Sequence, residues 1–133
     1  MRSKLDVPGQ LKMATLEEAS KITQRLHGLV ERMAAASNKL EPISSYSQQV
    51  RRAGAPLVSL LKAQFGLISD HVAQMMVIAG RTGSDRVRVR ALREGVGQLK
   101  QQLEIAATRT QATHAVEEVD SAKEETKAPG ESA

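Results

Sequence analysis

The stretch Pro56–Gly80, "PLVSLLKAQFGLISDHVAQMMVIAG", is apolar over about half a helical circumference, far wider than a two-helix seam needs. A helix with so wide a face must touch more than one neighbour, so its reading decides how the rest of the chain folds. Leu57, Leu61, Phe65, Ile68, Val72, Met75 and Met76 are expected to form the centre of a bundle, or the face that meets a second copy or a partner helix. Upstream, Ile43, Tyr46, Val50 and Ala53 continue the stripe until "GAP" at Gly54–Pro56. Proline removes a backbone donor and crowds the preceding turn, so the spacing predicts a helix over 43–79 kinked near Pro56, with a fresh helix beginning at Pro56 as the alternative.

Outward from that stretch lie two narrower stripes. Ile22, Leu26, Leu29, Met33, Ala36 and Leu40 alternate spacings of four and three, which predicts a helix with a heptad-like seam. "TLEE" at Thr15–Glu18 has the form of a capping box, placing the start of that helix at 15, and Pro42 ends it near 40. Residues 1–14 contain "VPG" without any period and read as a flexible arm. After Pro56–Gly80, "GRTGS" offers Gly80 for a left-handed helix end and Ser84 or Asp85 as the next cap. Val89, Leu92, Val96, Leu99, Leu103 and Ala106 then define a last helix, expected over 85–120. Residues 121–133 are polar and acidic and read as a disordered tail. The sum is an all-α chain: an elongated, antiparallel, coiled-coil-like three-helix bundle spanning 15–120.

Composition narrows the chemistry. The 133 residues include no cysteine, one phenylalanine, one tyrosine and no tryptophan. Disulfides and thiolate metal sites are excluded, and base stacking on aromatic rings is disfavoured. His27, His71 and His114 fall on three predicted helices without ligand spacing, so no metal or other cofactor is expected. Gln64 and His71 share the apolar face of the second helix, where a polar layer could fix register; the reading preferred is a partly exposed histidine at the seam edge. No nucleophile–base pairing or glycine-rich phosphate loop appears, so catalysis is not expected. No apolar run approaches the roughly 20 residues of a membrane span, and a cytoplasmic chain is expected.

Charge points to partners. Net charge is +4, but residues 117–133 hold six acids against two lysines, leaving +8 on the rest. Arg81, Arg86, Arg90 and Arg93 gather at the start of the last helix, where the helix dipole disfavours cations. Docked phosphates or carboxylates would offset that cost. The function first expected is a non-enzymatic helical scaffold or adaptor, acting as a homo-oligomer or through a partner helix. The alternatives are a nucleic-acid-backbone binding module using those four arginines, and a coat on a granule or membrane surface.

Two resemblances accompany this reading. Around His27, "HGLVE" is similar to the phospho-accepting segment of histidine phosphotransfer domains in carrying Leu29 two residues on. Val30 and Glu31 stand where that pattern has lysine and glycine, and an acid there repels phosphate. In composition the chain resembles phasins, aliphatic helical proteins of polyester granules, which implies the coat reading.

Overall fold

The computed structural model describes residues 4–81 and 83–116. Its elements run β1 (Lys4–Leu5), α1 (Val7–Asn38), α2 (Ser44–Lys62), α3 (Gly66–Ala79), α4 (Asp85–His114) and β2 (Ala115–Val116). Among the described residues every element is a helix apart from one two-residue antiparallel pairing, in which Lys4 faces Val116 and Leu5 faces Ala115. The expected 43–79 helix is two helices, so among the described residues the bundle has four helices rather than three.

Successive helices run antiparallel. Arg93 on α4 meets Glu31 on α1 while Lys12 meets His114, so both ends of this long pair are tied. On α3, Ser69 Oγ donates to the carbonyl of Val58 at 2.8 Å, folding α3 back along α2. At a rise of 1.5 Å per residue, α1 and α4 are each about 45–48 Å long, and α2 and α3 about 28 and 21 Å. The bundle therefore has a four-helix body and, below the α2–α3 turn, a stem of α1 and α4 alone.

The break falls at Ala63–Phe65, not at Pro56. Phe65 leaves helical geometry at φ −138° and ψ 58°, and Gly66 opens α3. Folding there lets a face too wide for one neighbour pack partly against itself. Pro56 lies inside α2 on its exposed side, where a missing hydrogen bond costs least. The glycine beside it serves packing: a Cβ on Gly54 would collide with the thioether of Met76 from α3. Gly95 of α4 admits Met75 in the same way, at 2.9 Å from the Cβ it lacks.

The helix ends also differ from expectation. Asp6 caps α1, its carboxylate accepting from the Gly9 amide at 2.8 Å, with Pro8 in the first turn. Residues 7–14 are thus helical rather than a flexible arm, and Thr15, inside the helix, donates its hydroxyl to Gln64 Oε1 instead of capping. At the other end α1 closes in a Schellman motif: Glu41 N–H reaches the Ala36 carbonyl and Leu40 N–H that of Ser37. Leu40 occupies the left-handed position, φ 60°, with 92 % of its surface exposed. Gly80 is right-handed at φ −90°, and Gly83 supplies the positive φ in that loop. Ser84 caps α4 through the Val87 amide, as expected. The last helix stops at His114 rather than running on through Val116; residues 117–133, including the expected acidic tail, lie outside those described.

The core is aliphatic. Leu26, Met33, Leu57, Leu61, Met75, Leu92 and Leu99 are fully buried, joined by Val30, Val50, Val72 and Val96. Of the face first read as a partner surface, Leu57, Leu61, Val72 and Met75 lie in this interior, and Phe65, Ile68 and Met76 pack against it. His71 bridges α3 to α4, its Nε2–H donating to the Gly95 carbonyl at 2.9 Å. Gln64 is exposed and His71 half-buried, so the pair forms no polar layer and His71 takes the seam-edge position preferred for it.

Candidate functional site

The arginines expected to bind anions start α4, where "GRTGSDRVRVR" packs its valines inward only at Val89. Arg81, Arg86, Arg90 and Arg93 are all exposed. Arg86, Arg90 and Arg93 line one cleft of about 350 Å³ with Ser37 and Asn38 of α1, while Arg81 stands outside it in the preceding loop. Glu94 shares the cleft wall. Arg93 is held by Glu31 in a two-pronged pair, Nε to Oε2 at 3.0 Å and Nη2 to Oε1 at 3.2 Å. Both partners are about half exposed, 54 % and 41 %, so water and salt screen the pair. Arg88 points the other way and donates to Ser47 Oγ at 3.4 Å, joining α4 to α2.

A second arginine cleft lies on the opposite flank of α1. Arg25 and Arg32 project from α1 seven residues apart, two turns on one side of the helix, and Arg52 faces them from α2. The cleft is about 590 Å³; Gln24 and Gln49 add amides, and Gly28 adds a stretch of wall without a side chain. No carboxylate lines it, and among the described residues none of the three arginines has an acid within ion-pair distance. The sequence carried a partial sign of it: Arg25 and Arg32 lie outside the seam at helical spacing. Arg52 joins them only through the α1–α2 hairpin.

A third polar group sits at the foot of the stem. His114 Nδ1–H donates to Asp6 at 3.0 Å, and His114 Nε2 accepts from Lys12 Nζ at 3.1 Å. Asp6 is held below its ordinary pKa of 3.8, first by the Gly9 amide, which outweighs an opposing desolvation, and to a lesser degree by His114 and Lys12. This chain clips the N-terminal end of α1 to the end of α4. No spacing could reveal it, because its members are more than 100 residues apart.

His27 is exposed on α1, beside Glu31 one turn on. Among the described residues no three His, Asp or Glu side chains gather as metal ligands, and no helix is long and apolar enough to cross a membrane. Comparison with protein-family models, curated proteins and solved structures finds no match to this chain.

Proposed function

We propose that this chain is a non-enzymatic polyanion-binding module that engages the phosphate backbone of nucleic acid along α1. Arg25, Arg32 and Arg52 grip from one flank; Arg81, Arg86, Arg90 and Arg93 grip from the other. The observation that carries the reading is the cleft between α1 and α2, which Arg25, Arg32 and Arg52 line together with no carboxylate among the lining residues. Planar guanidinium forks match phosphate oxygens, and the excess of +8 over residues 1–116 draws a polyanion in from a distance. Neither cleft offers a base-reading motif, so binding is indifferent to sequence. The test is fluorescence anisotropy with a labelled mixed-sequence duplex across a salt series. The logarithm of affinity falls linearly with the logarithm of salt, by about 0.9 of a log unit per phosphate contact for each tenfold rise in salt. A chain that leaves the duplex free at low salt refutes the reading.

The scaffold reading, by self-association or a partner helix, rests on what the core leaves outside. Val77 and Val87 are 53 % and 62 % exposed near one end of the body. Sedimentation over a wide concentration range tests it, and a strict monomer refutes self-association. The granule-coat reading requires the bundle to open, since the wide apolar face is turned inward.

A further inference from the structure

The cleft at the foot of the four-helix body is chemically unlike the arginine clefts. It is about 650 Å³ in volume, within the range of sites that enclose small organic molecules, and opens where the α2–α3 turn meets α1 and α4. Phe65, Leu67 and Ile68 form one apolar wall and Ile105 and Ala106 another. Leu67 is 85 % exposed and Ile105 52 %, so two large aliphatic side chains face this concavity without cover.

The polar groups are placed at separate points. Arg109 and Lys12 mark one end. Lys12 is oriented by its hydrogen bond to His114, itself held by Asp6, so its ammonium group is fixed rather than free to sweep. Farther along the cleft, Gln102 Oε1 is buried and, among the described residues, has no hydrogen-bond partner. Such an acceptor has lost water and gained nothing; Gln102 as a whole is only partly buried, so a turn of its side chain presents the oxygen to a ligand that brings a donor. Gln102 and Arg109 are seven residues apart on one helix, two turns or about 10 Å, with Ile105 and Ala106 between them.

We propose that this cleft binds an elongated apolar carboxylate bearing a hydroxyl at its far end. The carboxylate pairs with Arg109 and Lys12, the hydrocarbon lies across Phe65, Ile68 and Ile105, and the hydroxyl donates to Gln102 Oε1. The three recognition elements are each present in one ligand class and each missing from a simple analogue, which makes the assignment separable.

Isothermal titration of the full chain with ω-hydroxyoctanoate, octanoate and the matching α,ω-diol tests it. The hydroxy acid binds saturably, one molecule per chain. Octanoate, lacking the donor, binds about fivefold more weakly, and the uncharged diol about tenfold more weakly. Gln102→Leu makes the hydroxy acid and octanoate equal. Arg109→Gln, at an exposed position, weakens both acids and leaves the diol unchanged. Ile105→Glu places a charge in the apolar wall without touching the core, and abolishes binding of all three while helicity and melting hold. No saturable heat with the hydroxy acid at millimolar concentration, equal affinity for the diol, or indifference to Arg109→Gln or Ile105→Glu would each overturn the assignment.

Discussion

The two arginine clefts flank the same helix and differ in what shares their walls. On the α4 side, Glu31 clamps Arg93 and Glu94 stands beside Arg90, so part of the positive field is cancelled before any ligand arrives. On the α2 side, Arg25, Arg32 and Arg52 share their cleft with two amides, Leu29 and two small residues, and with no acid. The run "RTGSDRVRVRALREG" looks the more basic in one dimension, yet the more basic cleft is the one assembled across a hairpin. Charge density along a chain is a poor guide to charge density in space once helices fold counter-charges into place.

Reversing charge is the strongest way to break the comparison. Arg25→Glu with Arg52→Glu removes two phosphate contacts and puts two acids into a cleft that had none. Duplex affinity at low salt is expected to fall by about a hundredfold, with the salt slope shallower by about two contacts. Arg86→Glu with Arg90→Glu is expected to lower affinity only by about tenfold, because that cleft already holds acids. Anisotropy of both variants beside the parent decides the ranking; equal losses would show that the flanks are equivalent.

A packing change tests whether the α2-side cleft depends on the hairpin. Gly54 lets α2 approach α3 over Met76, and it stands two residues from Arg52. Gly54→Val forces the helices apart, with an expected loss of about 2 kcal/mol in denaturant unfolding. The displacement should weaken binding through Arg25 and Arg52 while leaving the Arg86–Arg90 cleft as it was. A variant as stable as the parent would mean that Met76 finds another place.

These contrasts also show what could be read before folding. The apolar periods of α1 and α4 were legible because burial repeats with the helical turn: Leu26, Met33, Leu92 and Leu99 are all fully buried. The division of the middle segment was not. Gly54–Pro56 has the composition of a breaker but sits inside α2, its proline on the exposed side and its glycine under a methionine. The true break at Ala63–Phe65 carries one weak local sign, Gly66, because the hairpin is stabilised by contacts between α2 and α3 that no local rule reports. "DVPG" was a start signal with the look of a loop: aspartate caps, and proline tolerates the first helical turn. The anion site was half legible. The contiguous arginines were visible, whereas Arg52 joined Arg25 and Arg32 only through the turn after α1, and the Asp6–His114–Lys12 clip only when the two chain ends met.

That turn offers a change expected to leave both clefts alone. Leu40 is a β-carbon residue in a left-handed position where its side chain touches little, at 92 % exposure. Leu40→Gly relieves the steric cost at a Schellman position and should raise stability by about 1 kcal/mol, partly offset by the freer unfolded chain. Thermal melting measures the gain, and unchanged duplex affinity shows that the end of α1 shapes stability rather than either cleft.

The smallest change sharpens the comparison most directly. Glu31→Gln keeps the shape of the side chain but removes the carboxylate that holds Arg93, in a pair exposed enough to contribute little to stability. If cancelled charge is what separates the flanks, releasing Arg93 should bring the α4-side cleft toward its opposite. Duplex affinity is expected to rise about threefold, and the salt slope to steepen by close to one contact. Melting should stay within about half a kcal/mol of the parent, as for most surface substitutions. The same substitution in the Arg86→Glu, Arg90→Glu background should give little gain, since a lone freed arginine there faces three acids, Glu94 and the two introduced ones. A threefold rise in both backgrounds would instead mean that Arg93 acts independently of its cleft, and the difference between the flanks would need another cause.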